Sequence, residues 1–174
     1  MPSPLQRLWA KLGIPADYAR SRHLPVQRVA ARLVRVDRAA DDDQLIRLAP
    51  AAAAAWRRLR VAAAADGHTL LLLSGYRSVA RQTRVIRRQL ATGKSINEIL
   101  RFVAAPGCSE HHTGRAIDLA APSNLHLDGA FARTPEYRWL RRNAARFGFT
   151  LSYPARNPHR IGFEPWHWCW RARR

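Results

Sequence analysis

Cysteine is scarce: Cys108 and Cys169 are the only two in 174 residues. Two thiols allow at most one disulfide, so this is not a disulfide-held scaffold and its stability must come from a packed core. Long apolar runs are also lacking. The longest, around Ala51–Ala55 and Leu70–Leu73, fall far short of the roughly 20 residues a membrane span needs. The opening stretch MPSPLQRLWAKLGIPADYAR has neither an apolar signal-peptide segment nor a small-residue cleavage site, so no signal peptide is expected there. That leaves the cytoplasm and the cell envelope both open. Acidic residues are few: 12 Asp and Glu stand against 30 Lys and Arg, a net charge of +18. Lysine contributes only Lys11 and Lys94, so the excess is arginine. Such a balance attracts polyanions, whether nucleic acid, anionic lipid or an anionic cell wall. The arginines are scattered from Arg7 to Arg174, with no compact basic block interleaved with aromatics. That pattern fits a solvated basic surface, and no specific nucleic-acid partner is expected.

What is present suits one globular domain. Apolar residues make up 47%, which excludes global disorder, and a chain this long buries roughly 70% of its unfolded surface. Residues 1–30, with prolines at 2, 4, 15 and 25, read as a surface arm carrying one short helix. Leu33 to Val36 reads as a short strand. Ala51 to Ala65 is a strong helix with Pro50 in its first turn and Asp66-Gly67 as its stop. Thr69 to Leu73 reads as a buried strand. Ser78 caps a helix to about Ala91, and Ser95 with Glu98 forms a capping box for a helix to Val103. Ala116 to Ala120 is strand-like. Thr134, Pro135 and Glu136 open a helix running to Gly148, and Phe149 to Tyr153 and Gly162 to Trp170 are strand-like. Helices first and short strands later argue for an α+β fold. No internal repeat is present.

The chemistry concentrates in PGCSEHHTGRAIDL, Pro106 to Leu119, and in GFEPWHW near the C-terminus. His111 follows a glycine break, Asp118 projects from the next strand, and Glu164 and His167 stand three residues apart. Two imidazoles, one ligating carboxylate and a further carboxylate are what a catalytic zinc site needs: three protein ligands with water in the fourth place, and a base beside it. The set is not a contiguous metallopeptidase motif, and each histidine taken alone also reads as an ordinary core or surface residue.

SGYRS at Ser74 to Ser78, SEHHTGRAIDL at Ser109 to Leu119 and EPWHW at Glu164 to Trp168 occur in that order. Together they resemble the zinc D-alanyl-D-alanine carboxypeptidases of the VanY type, within a wider group that includes VanX dipeptidases and the Hedgehog signalling domain. The resemblance spans about residues 69–170. It implies a small antiparallel sheet flanked by helices, with one zinc ion in a cleft on the sheet, and a metallopeptidase domain over 31–174 behind the arm. By position, His111, Asp118 and His167 match the zinc ligands, Glu164 the catalytic base, and Arg77 the arginine that contacts substrate and stabilises the developing oxyanion. Ser109 matches the serine before the first ligand and is a substrate-binding candidate or a loop hydrogen-bonder. Gln82 meets substrate or supports Arg77. Tyr153 is a candidate for lining the cleft, and Trp166 reads as packing. His112 lies outside the pattern and is expected to be exposed, and His126 and His159 are expected in loops.

Cys169 departs from the family pattern. On a strand it shares the face of His167, and Cys108 lies three residues before His111, so both thiols are expected near the metal, bridged or as two buried reduced thiols. The implied activity is hydrolysis of the bond before a terminal D-amino acid in peptidoglycan stem peptides or muropeptides. An L,D-carboxypeptidase or a peptidoglycan endopeptidase is the rival within hydrolases. A zinc-containing binding module is the rival of another class.

Overall fold

The computed structural model describes residues 2–172. They form six α-helices, six β-strands and three short 3-10 turns, with helices and strands often following their own kind. A two-stranded ribbon pairs β1 (Val34–Arg38) antiparallel with β2 (Leu45–Leu48). The main sheet has four antiparallel strands in the order β3-β4-β6-β5, from β3 (Leu71–Ser74), β4 (Ala116–Ala120), β5 (Phe149–Leu151) and β6 (His167–Trp170). This is the α+β architecture the element order implies.

Every side chain of β4 is buried, so both faces of the sheet are covered at its centre. Strand alternation sorts them. Ile117 and Leu119 enter a core with Trp168 of β6, Phe149 of β5 and the buried face of α3 (Pro50–Ala65). That face reads Ala52, Ala53, Trp56, Leu59, Ala63, a helical spacing built largely from small residues. The helix α6 (Pro135–Asn143) adds Tyr137, Trp139 and Leu140. It ends before Gly148: Ala144–Phe147 tightens into a 3-10 turn, and Gly148 closes it at φ +85°. On the other face, Asp118 lies in register with His167 on one side and Ser74 on the other.

Residues 4–24 are packed into the molecule rather than lying as a surface arm. The helix α1 (Pro4–Lys11) begins at a Ser3/Gln6 capping box and buries Trp9. Leu12, Ile14, Tyr18 from α2 (Tyr18–Ser21) and Leu24 follow it into a second core. That core also holds Ile86 of α4 (Val79–Ala91), Ile99 of α5 (Ile96–Ile99), Cys108, Tyr153 and Ile161. Trp9 Nε1 donates to Pro106 O at 2.8 Å, and Ala30 N to His112 O at 2.9 Å. Leu5, Leu8, Trp9 and Leu12 keep an i, i+3, i+4, i+7 spacing that the flanking prolines obscure.

Three further differences have local causes. The capping box at Ser95 starts a helix of one turn only, ending at Ile99 rather than Val103. β2 lies where no strand is expected, its four residues being too short to show periodicity. Gly162–Trp166 is not strand: Pro165 lacks a ladder donor, and His167 N bonds back to Glu164 O at 3.1 Å in a turn. Cys108 and Cys169 are both buried and free, so the bridged alternative is not adopted.

Candidate metal centre and catalytic cleft

Two loops are zipped together to form the site. His111 sits in the 3-10 turn Glu110–Thr113, and its Nδ1 lies 2.7 Å from Gly75 O. Arg77 N donates to His111 O at 3.2 Å, and His112 Nδ1 stands 2.6 Å from Arg77 O. Only glycine fits at two of these positions. A Cβ on Gly75 would fall 2.6 Å from Ile46 Cγ2 and 2.8 Å from Arg47 O. Gly114 ends the 3-10 turn at φ +65°, and a Cβ there would fall 2.8 Å from Ala49 N.

This zipping fixes the imidazole tautomers. With Nδ1–H of His111 given to a carbonyl, its Nε2 faces Asp118 Oδ2 at 3.1 Å. His167 is held the other way round: Nε2 bonds Glu110 Oε2 at 3.0 Å, and Nδ1 faces Asp118 Oδ1 at 3.0 Å. One ligand atom from each of His111, Asp118 and His167 lies within 4.8 Å of the others, and all three residues are buried. Ligands about 2.0–2.1 Å from a tetrahedral zinc sit about 3.3 Å apart, so the spacing and the N, N, O donor set fit that ion.

Charge in the cluster is strongly coupled. Burial opposes ionisation of Asp118, but the facing His111 and His167 hold its carboxyl far below the usual carboxylate range. Burial also works against Glu110, yet its bonds to His167 and Ser152 bring it down to about 2. Burial lowers His167, and the Asp118 and Glu110 carboxylates more than reverse this, raising it to about 10. Glu164 goes the other way, with burial pushing it up to about 8. Its Oε2 is 3.9 Å from His167 Nδ1.

The sequence-predicted residues converge on one cavity of about 340 Å³, lined by Arg77, Gln82, Ser109, Tyr153 and Glu164 beside the triad. Arg77 reaches Asp118 Oδ2 at 3.6 Å and donates to Ser74 Oγ at 3.2 Å and Gln82 Oε1 at 3.1 Å. Gln82 spends its amide on Ala104 O at 2.6 Å, so both its polar ends are engaged and it buttresses Arg77. Ser109 is buried at the cavity wall, and its side chain does not cap the turn it precedes. The Tyr153 ring leans on His167 at 4.9 Å between centroids. Trp166 both packs in the core and lines the cavity. Exposed Arg81, Phe102 and Leu127 are among the other lining residues, at its rim. His126 and His159 lie in loops, as expected.

Two residues differ from or escape the sequence reading. His112 is fully buried, not exposed: its Nε2 accepts from Gly107 N at 3.0 Å while Nδ1 serves Arg77 O. Glu110 lies outside the motif positions, yet it contacts the ligand His167. Its one sequence signal is its place directly beside the ligand His111.

Comparison with known proteins gives a consistent pattern. The sequence profile described as VanY: D-alanyl-D-alanine carboxypeptidase matches residues 45–173. YodJ of Bacillus subtilis (strain 168) is 36% identical over 119 residues, covering 67% of this chain and 43% of YodJ, so the chain spans less than half the length of that relative. The LdcB LD-carboxypeptidase structure superposes with a TM-score of 0.73 at 33% identity, covering 84% of this chain and 71% of that one. A zinc(II) complex of the vancomycin-resistance D,D-pentapeptidase VanY gives 0.63 at 27% identity, covering 84% and 82%.

Proposed function

The chain belongs to the VanY family of D-alanyl-D-alanine carboxypeptidases, and on that premise we propose that it is a zinc-dependent carboxypeptidase. Its substrates are peptidoglycan stem peptides ending in D-alanine, from which it removes the terminal residue. The observation that carries this reading is the buried His111, Asp118, His167 cluster opening on a cavity that also holds Glu164 and Arg77.

When bound, the zinc polarises the scissile carbonyl and brings the pKa of water down towards about 7. The chain's own groups do the rest. Glu164 takes a proton from the attacking water and returns it to the departing amine of D-alanine; its raised proton affinity suits both halves of that transfer. Arg77, held by Ser74 and Gln82, donates to the oxygen that gains negative charge as the carbonyl carbon becomes tetrahedral. With Arg81 on the rim, it also attracts the free carboxylate of the peptide. Ser109 offers a hydroxyl to the substrate's polar groups, and Tyr153 shapes the wall against His167.

Release of D-alanine from a pentapeptide stem, measured with and without a chelator, tests the proposal. Metal-dependent release is expected, and no metal-dependent release from any stem peptide overturns it. A second reading has its own support: the LD-carboxypeptidase LdcB superposes with a higher TM-score than the D,D-pentapeptidase. Tetrapeptide stems in the same assay discriminate L,D from D,D cleavage. The binding-module alternative is disfavoured because Glu164 and Arg77 are both in the cavity. Anionic wall polymer is proposed as the surface on which the +18 chain works. Among the described residues no helix is long and apolar enough to cross a membrane.

A further inference from the structure

We propose that Glu110 is a positioning residue for the metal site, holding His167 so that its Nδ1 is presented as a ligand. The inference rests on the metal-dependent reading above. It concerns a residue outside the ligand set, the base and the substrate contacts.

Three donors converge on this one carboxylate. Glu110 Oε2 receives His167 Nε2 at 3.0 Å and Ser152 Oγ at 2.5 Å, and Oε1 receives Arg171 Nη2 at 2.5 Å. The side chain is buried, so an unpaired charge there is costly and its orientation is tightly held. An imidazole that gives Nε2–H to a carboxylate is fixed as the Nδ1 lone-pair tautomer, and its ligating nitrogen becomes more electron-rich. The other ring nitrogen, His167 Nδ1, accordingly faces Asp118 Oδ1 at 3.0 Å rather than solvent. Glu110 also begins the 3-10 turn that carries His111. One short turn therefore supplies a ligand from the loop and aims a second ligand that comes from β6. The other histidine is oriented differently, by the uncharged Gly75 carbonyl. The charged partner is thus specific to His167.

A plain ion pair between Glu110 and Arg171, tying down the end of β6, is the competing account, and three variants separate the two. Zinc dissociation constants are measured by competition with a chromophoric chelator, alongside the visible spectrum of the cobalt(II) form and the thermal unfolding of the metal-free protein. Glu110→Ala is expected to weaken zinc binding about 10–100-fold and to change the cobalt spectrum. Glu110→Gln keeps the shape and an acceptor oxygen but loses the charge, so a smaller loss in the same direction is expected. Arg171→Ala leaves the Glu110–His167 bond in place and is expected to weaken zinc binding less than Glu110→Ala. Wild-type zinc affinity and cobalt spectrum in folded Glu110→Gln and Glu110→Ala overturn the proposal. An Arg171→Ala loss equal to that of Glu110→Ala also overturns it. If Glu110→Ala does not fold, the Gln variant decides. Should the wild-type chain bind no zinc, the functional reading falls as well; zinc bound equally by wild type and the Glu110 variants removes only this inference.

Discussion

At the scale of single residues, the division of labour in the cleft is set by which groups are paired. Asp118 and Glu110 are surrounded by donors and stay ionised, whereas Glu164 is buried with little compensation and holds its proton tightly. Replacing Glu164 by Gln is expected to cut turnover by roughly 10²–10⁴-fold while zinc content, read by elemental analysis, stays at the wild-type level. Loss of the metal together with activity would mean the carboxylate is a ligand rather than a base. Arg77→Lys keeps a charge but loses the fork that meets Ser74 and Gln82, and kcat is expected to fall by roughly 10²-fold. His167 gives a pH signature. In the metal-free protein its proton affinity is raised from the ordinary histidine value to about 10. This stabilises the fold fully below about pH 6.5 and is lost as pH rises through that higher value. A metal must displace that proton. Zinc affinity is therefore expected to strengthen up to about tenfold per pH unit between about pH 6.5 and 9, with proton release visible as a buffer-dependent binding enthalpy. An affinity flat over that range would contradict the account.

The individual roles at this scale were legible only in part. His111, Asp118, His167 and Glu164 stand out because few chemistries need that set, and they meet in space. His112 and Glu110 did not stand out, because their work is done through Arg77 O and His167 Nε2, partners 35 and 57 residues away in the chain. Spacing in a sequence carries no trace of such bonds.

At the scale of elements, α3, α4 and β4 are legible in the sequence, whereas irregular joints and the ends of α5 and α6 are not. α3 shows its apolar face in sequence, and β4 shows its short apolar run. The turn at Glu164–His167 was hidden by an aromatic stretch that looks like strand, and it is this turn that folds Glu164 back towards His167. A short helix is expected in residues 1–30 and α1 is there, with Pro4 in a first-turn position where its missing N–H costs nothing; its burial is what the proline-rich stretch obscures. Because Trp9 packs in the second core with Tyr18, at 5.9 Å between ring centroids, Trp9→Ala is expected to cost about 3–5 kcal/mol in urea unfolding. A surface arm would give a change near zero. Gly114→Ala forces both a left-handed φ and a clash with the start of α3. It is expected to weaken zinc binding as well as stability, since the same turn carries His111.

At the scale of the whole molecule, net charge bears on the wall surface proposed above, and the two cores bear on how the site is lost on heating. If the proposed wall surface is the working substrate, the +18 excess would attract a polyanionic wall far more than a small soluble peptide. Hydrolysis of intact wall is therefore expected to slow as salt rises, while hydrolysis of free stem peptide changes little. Parallel salt profiles for the two substrates would show that surface charge plays no part.

β4 turns one face to the cluster gathered around α3 and carries Asp118 on the other, where Tyr153 of the second cluster, which also holds Trp9 and Tyr18, leans on His167. The three ligand residues themselves are all buried, Asp118 and His167 on paired strands and His111 in a turn bonded to Gly75 and Arg77. Heat should accordingly disarm the protein in one step, with the midpoint of activity loss coinciding with the midpoint of global melting.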